Sequence, residues 1–388
     1  VPIHSELPLA TGVVSTPGRR RAKRAPLPRP VYGLRTRLDF PLPKSTTVLT
    51  YEDKSTLSGC PPPGFVVEAR NGYRATLFAT PRVREESPMR SHAEAMVLAS
   101  LTADAHALGA HWIYDTRRIA TEIGRVDTLL KPLPDSFHSN REAGCFTHYG
   151  DQTAVLLESI AERGGFHLED FWHRWRALFA SYDGYVDQAT KATLINIEAG
   201  KGPEDCGSFT DELAGAARIA PLVRVYADDP ETLEEAVGLQ TRMTHNNPIV
   251  VQGGVFFARV ARGVLSGEAP TAVMEKEAGF FSNSPVFQWV REGIRSREVD
   301  SVDAIRRFGQ TCHAEEAFPS TVHIIARYEN NLKEALVQSV MAGGDSAGRG
   351  LLIGMILGAH LGEEAIPRDW VDGLISGDAV RRNLARIP

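Results

Sequence analysis

From about Ser91 to the C-terminus, apolar residues recur every three or four positions, the spacing of one face of a helix. "SHAEAMVLASLTADAHALGAHWIY", "QTAVLLESIAER", "LEDFWHRWRALFASY" and "VDQATKATLINIEAG" read this way. So do "DELAGAARIAPLVRVY", "DPETLEEAVGLQTRMT", "NPIVVQGGVFFARVARGVLSG", "STVHIIARYENNLKEALVQSVMAG" and "GRGLLIGMILGAHLG". Many open at Asp, Ser or Pro and several close at Gly, as capping chemistry requires. Ser91, with Glu94 three residues on, has the form of a capping box. No alternating runs are joined by hairpin turns, and no segment repeats at a fixed period. The pattern predicts a single all-α helix bundle over residues 89–388.

Residues 1–88 carry no comparable periodicity and hold 13 of the 24 prolines. "PGRRRAKRAPLPRPVYGLRTR" has eight basic residues, with no acid until Asp39. Such a segment buries too little apolar surface to offset its ordering entropy, so a mostly disordered extension is expected, with a short strand near "GYRATLFATPRV". Met89 directly precedes the first strong helix and would make a natural start. That reading ranks ahead of an organelle transit peptide, and well ahead of a nucleic-acid-binding arm. A cytoplasmic location is the expectation, or an organelle if residues 1–88 are a transit peptide.

Two helices have unusual faces. Ala95, Ala99, Ala103 and Ala107 recur every fourth residue, as do Gly350, Gly354, Gly358 and Gly362. Residues four apart share one face, so each stripe is nearly bare of side chain. Glycine inside a helix costs about 1 kcal/mol relative to alanine, so four of them need a packing reason. The stripes predict that these helices lie in the bundle centre, their ends carrying Asp104 and Asp345 to one neighbourhood.

The net charge of -5 gives no field favouring nucleic acid or an anionic membrane. Cys60, Cys145, Cys206 and Cys312 are far apart, which indicates neither a zinc site nor a disulfide framework. The run near "GLLIGMILGAHLG" is shorter than the roughly 18 residues of a membrane span.

Candidate chemistry centres on "GGDSAGRG". It lacks the Lys-Ser/Thr pair of a phosphate loop, and the residues before it have helical rather than strand spacing. What remains is helix, tight turn, helix, with Asp345 placed as an N-cap. "FTHYGDQTAVLLES" has the same form, with Asp151, Gln152 and Thr153 opening a helix. Together with "ADAHALGAHWIYD", "TRMTHNNP" and "GGDSAGRGLLIGMILGAHLG", these blocks carry a resemblance to the ADP-ribosylglycohydrolase family, in the branch similar to J-type crystallins and selenoprotein J. The blocks run in order across the helical part, and "DELAGAARIAPL" and "CHAEEAFPS" add support.

The resemblance implies an orthogonal multi-helix bundle with a cleft for ADP-ribose. It also implies two magnesium ions held by a Thr-Asp-Asp-Thr turn and a Gly-Asp-Thr-Asp-Thr turn. Here the first turn reads Gly150, Asp151, Gln152 and Thr153, and the second continues Asp345, Ser346, Ala347 and Gly348. Two carboxylates and two hydroxyls are missing. Asp151, Gln152, Thr153 and Asp345 are therefore expected to hold one divalent cation at most, Mg2+ or alternatively Mn2+, or none.

The expected catalytic set is Asp104, Asp115, Asp151 and Asp345. The expected substrate contacts are His111, Tyr114, Asp211, His245, Asn247 and His313, with Trp112 beside them. Each has a plainer reading: Asp115 and Asn247 as helix caps, the aromatic cluster as core. Asp211 and Glu212 either replace lost ligands or are only the acids of a helix first turn. Cys312 is read as a small buried hydrophobe. Asp183 and Asp187 would share a face if their helix is unbroken. The partner class is an ADP-ribose-containing small molecule or an ADP-ribosylated protein, with no nucleic acid and no membrane. The rival reading is a non-catalytic ADP-ribose-binding or crystallin-like structural protein.

Overall fold

The computed structural model describes residues 66–68, 74–76 and 88–388. The expectations for the rest of residues 1–88 lie outside the described residues. Val66–Glu68 and Arg74–Thr76 form a two-stranded antiparallel pair, with Val66 opposite Thr76. The second strand falls within the stretch expected to hold one.

The described residues from Pro88 to Pro388 form a helical unit, its helices joined by loops. Its first helix runs Pro88–Ala107, so it opens three residues before the expected Ser91 cap. Glu94, expected to reach back to that cap, instead pairs with Arg90 one turn earlier, 3.2 Å away. This helix is buried on nearly every side and packs antiparallel against Ser346–Leu361. The bare stripes meet: a methyl added at Gly354 would lie 2.5 Å from the Ala99 carbonyl oxygen, and one at Gly358 2.5 Å from the Ala99 Cβ. The Ser100 hydroxyl donates to the Leu351 carbonyl at 2.8 Å across the same seam. Gly362 is not part of the stripe; with φ of 76° it closes the helix.

Outer helices wrap this pair. Pro248–Leu265 lies against Pro230–Thr244 and the central Ser346–Leu361 helix. At 18 residues it is long and apolar enough to cross a bilayer, against the sequence expectation. Its Phe256 and Phe257 instead pack on Phe318, with ring centroids 5.2 and 4.8 Å away, as in a core helix. Two expected helices are broken. The "DELAGAARIAPLVRVY" stretch yields only Ala214–Ala217 and Ala220–Tyr226. The helix expected from Ser320 to Gly343 divides into Ala314–Arg327 and Leu332–Met341. The helix expected over "VDQATKATLINIEAG" opens at Gln188 with Asp187 as its cap, and Asp183 is exposed in the preceding loop, so the two do not share a helix face. Glu212 and Asp187 therefore both stand outside helices, and Tyr149 senses their charges together with that of Asp345.

Candidate functional site

The site is built around the Gly343–Asp345 turn. Gly343 and Gly344 both take left-handed backbone, with φ of 74° and 70°. A Cβ at Gly344 would meet the Gln310 carbonyl oxygen at 2.0 Å, so only glycine fits. Three loops are sewn together there. The Trp112 N–H donates to the Gly344 carbonyl, the Gly344 N–H to Ile113 and the Asp345 N–H to Gln310, each at 2.9 Å. Trp112 is the only non-glycine among the described residues with positive φ, at 63°. Such strain persists only where its surroundings over-determine it, and it concentrates at functional sites.

Asp345 is fully buried, and neither carboxylate oxygen has a hydrogen-bond partner. Its Oδ1 lies 3.7 Å from His111 Nε2. The Ala347 N–H donates to His111 Nδ1 at 3.3 Å, which leaves the ring proton on Nε2, facing the carboxylate. Burial pushes the Asp345 carboxyl up to about 6; Arg349 and His148 oppose the rise, the Glu212 charge adds to it, and the Gly348 N–H, which faces the carboxylate without hydrogen-bond alignment, opposes it weakly. Burial, with His138, His148 and Arg349 nearby, pushes His111 well below its ordinary value. The pair is thus a neutral imidazole beside a carboxyl that gains its proton near pH 6.

Two further pairs lie in the same region. His138 Nε2 and His148 Nδ1 are 3.1 Å apart, and His148 Nε2 is 3.1 Å from Asp187 Oδ2 without hydrogen-bond alignment. Burial alone would raise the Asp187 carboxyl, but His148, His245 and Thr190 hold it well below the usual range. Glu212 Oε2 lies 3.5 Å from His245 Nε2; both groups are largely buried, and both atoms lack hydrogen-bond partners. Tyr149, Tyr185 and Cys312 complete the neighbourhood, each sensing the Glu212 charge. Cys312 is half-buried, and its partial desolvation beside Asp345 and Glu212 pushes its thiol far up, which disfavours the thiolate a nucleophile needs. An adjoining cavity of about 230 Å³ is lined by His111, Trp112, Tyr114, Asp115, Arg118 and Phe137, among others. Larger cavities lie elsewhere, among them two of about 440 Å³ around Arg381 and Asn331.

The profile of ADP-ribosylglycohydrolases matches residues 85–387. The chain belongs to the ADP-ribosylglycohydrolase family. Crystallin J1A of Tripedalia cystophora is 26% identical over 312 residues, 75% of this chain and 94% of the crystallin. ADP-ribosylhydrolase ARH3 of Bos taurus is 23% identical over 327 residues, 71% of this chain and 88% of that enzyme. A solved ADP-ribosylglycohydrolase-related protein complex has the same fold. Its TM-score is 0.60 at 20% identity, covering 77% of this chain and 97% of that one.

Against this ADP-ribosylglycohydrolase frame, several expected site residues do structural work. Asp104 is fully buried and holds the start of the His148–Arg163 helix: its carboxylate accepts from the Thr147 N–H at 2.7 Å and hydroxyl at 2.6 Å. It does not reach the cleft, although both Asp104 and Asp345 sense the His148 charge. Asp115 is exposed and caps the Thr116–Arg118 turn through the Arg117 N–H. Asn247 caps the Pro248–Leu265 helix, its Oδ1 accepting from Ile249 N–H and its amide donating to the Phe209 carbonyl. Asp211 and His313 pair with each other at 2.7 Å, half-exposed. Tyr114 is 46% exposed at the mouth. His245 lies in the candidate site, beside Glu212.

The missing motif residues have structural counterparts. A Cβ at Gly150 would lie 2.2 Å from Asp104 Oδ2, and one at Gly348 2.4 Å from Asp345 Oδ2. At both places where the resemblance calls for Thr, an aspartate carboxylate fills the room.

The remaining metal candidates do not fit a magnesium ion. Gln152 Oε1 accepts from Trp175 Nε1 at 2.7 Å and Arg218 Nη1 at 2.8 Å, and its amide donates to the His148 carbonyl. The Thr153 hydroxyl donates to the Tyr149 carbonyl within its own helix. Asp151 Oδ2 accepts from Arg141 at 2.7 Å and Tyr182 at 2.6 Å, facing a separate polar cavity. Asp345 is left with an N–H and a guanidinium as neighbours, a poor setting for a hard cation. Among the described residues no three His, Cys, Asp or Glu side chains are arranged as a metal site.

His138, His148 and Asp187 are not singled out for the site by the sequence: the histidines lie in "FHSNREAGCFTHYGD", which has no ligand spacing, and Asp187 has the form of a residue at a helix start. Glu212, with Asp211, has two readings there, a replacement for a lost ligand or a first-turn acid.

Proposed function

We propose that this protein is a hydrolase that cleaves a ribosyl glycosidic or ester bond in an ADP-ribose-containing substrate, without the two-metal centre. The observation that carries this reading is the convergence of unpartnered buried polar atoms. They are both Asp345 oxygens, His111 Nε2, Glu212 Oε2 and His245 Nε2, drawn from four loops of the fold. Burying polar atoms without partners costs free energy, so their retention at one place favours a ligand there. Asp345, with its carboxyl pushed up to about 6, is suited to donate a proton to a leaving group near neutral pH. The exposed rings of Tyr114 and Phe137, with Phe209 on the Glu212 loop, provide faces on which a base can stack. The partner is then an ADP-ribose-containing small molecule or an ADP-ribosylated protein.

The test is turnover of ADP-ribosyl-arginine, ADP-ribosyl-serine and O-acetyl-ADP-ribose, with Mg2+, with Mn2+ and with EDTA, beside Asp345→Asn. Turnover in EDTA that Asp345→Asn abolishes supports the reading. Turnover that ignores Asp345→Asn refutes the site. A second reading, a non-catalytic crystallin-like protein, draws on the two J1 crystallins whose length the match covers to 94% and 97%. Absence of both turnover and ADP-ribose binding would favour it.

A further inference from the structure

We propose that Glu212 is a second catalytic carboxylate, the base that activates the attacking water opposite Asp345, with His245 as its positioning residue. This rests on the hydrolase reading above.

The position of Glu212 in the fold separates it from a helix-opening acid. Its backbone is extended and bridges that of His313, with the Leu213 N–H donating to the Cys312 carbonyl and the Ala314 N–H to Asp211. The helix that follows has only four residues, Ala214–Ala217, too short to make a strong dipole. The side chain is turned inward instead, 12% exposed, and ends 3.5 Å from His245 Nε2. Its neighbour Asp211 points the other way, to His313.

His245 is held in one orientation. The ring lies over Gly215, where an added Cβ would be 2.5 Å from the imidazole Cγ. Thr244 Oγ1 accepts from Arg218 Nη2, which frees its own proton for His245 Nδ1, 2.9 Å away. The ring proton is then on Nε2, directed at Glu212. Arg218 in turn donates to Gln152 Oε1 at 2.8 Å. One hydrogen-bonded chain therefore links Gln152, where the family motif calls for an acid, through Arg218 and Thr244 to His245, whose Nε2 faces Glu212 at 3.5 Å. The acid missing at one end is matched by an acid at the other.

Two carboxylates flanking a ribosyl bond suffice for hydrolysis without a metal. Water loses a proton to Glu212 as its oxygen bonds to the anomeric carbon. The bond from that carbon to the leaving group breaks, its electron pair going to the leaving group, which takes the Asp345 proton. A proton then returns from Glu212 to Asp345 through solvent, leaving free ribose hydroxyl and protonated leaving group.

The test uses the full chain in EDTA. Glu212→Gln should lower kcat by about 10²–10⁴, the range for a lost acid-base group, with ADP-ribose affinity held within about threefold. Glu212→Ala supplied with azide should form the ribosyl azide, seen by mass spectrometry, since azide needs no base. Glu315→Gln, an exposed change, should match the wild type. His245→Ala should lower kcat and displace the acidic limb of the pH profile, and His245→Gln should recover part of both. Wild-type turnover left intact in Glu212→Gln, or no azide product from a folded Glu212→Ala, overturns this inference alone. No turnover by the wild type overturns it together with the hydrolase reading.

Discussion

Replacing Gly354 by alanine tests the central seam on which the site is mounted. The new methyl would lie 2.5 Å from the Ala99 carbonyl oxygen, 2.8 Å from the Ala99 carbonyl carbon and 3.0 Å from the Ala103 Cβ. Two of these are backbone atoms and cannot rotate away. Ordinary contact begins near 3.4 Å, so the helices must part by about 1 Å. Overpacking of this kind costs about 1–3 kcal/mol, against about 1 kcal/mol gained from alanine's helix propensity. Gly350→Ala is the control. It gains the same propensity, but its methyl would sit 3.3 Å from the Ala103 carbonyl oxygen, close to ordinary contact. Urea unfolding followed by circular dichroism should place Gly354→Ala about 2 kcal/mol below Gly350→Ala, which should lie within about 1 kcal/mol of the wild type. Asp345 stands at the start of this helix, so Gly354→Ala should also weaken ADP-ribose binding. Equal stability of the two variants would show that the seam is not close-packed and refute the reasoning.

Burial pushes the Asp104 carboxyl up from 3.8 to about 7, so the folded chain keeps a proton that the unfolded chain releases. Relative to Asp104→Asn, wild-type stability should be greatest below about pH 4 and fall by about 4 kcal/mol as pH rises to about 7. A flat difference in urea midpoints over that range would contradict it. Arg141→Met should cost about 1–3 kcal/mol at pH 8, where Asp151 keeps a charge that has lost its partner. The cost should shrink at pH 4, because burial raises the Asp151 carboxyl; adding Asp151→Asn should recover part of it, as read from thermal melts. Melting temperature and turnover should be the same in excess Mg2+ and in EDTA; a rise in either with Mg2+ would show that Asp151 or Asp345 does bind a cation.

The helical spacing made the bundle legible, and the alanine and glycine stripes identified its central pair. Those signals are local or pairwise: a face with no side chain must be covered by another backbone. Helix boundaries were less legible. Ser91 has the chemistry of a cap, but Pro88 starts the helix because proline also fits a first turn. Gly184 marks the break before Asp187, but nothing in "DELAGAARIAPLVRVY" marks the break after Glu212.

The sequence by itself determined the family, the helical class, the central helices and the two aspartate turns, since each rests on residue spacing along the chain. The tertiary structure alone decided which acids serve the site. Asp104 is withdrawn to hold Thr147, Asp151 is paired by Arg141 and Tyr182, and Asp345 and Glu212 keep unpartnered buried oxygens. The physical reason is that a carboxylate's role is set by its solvation and its hydrogen-bond partners. Those partners come from residues well away along the chain, as with Asp151 and Tyr182, 31 positions apart, and Asp104 and Thr147, 43 apart.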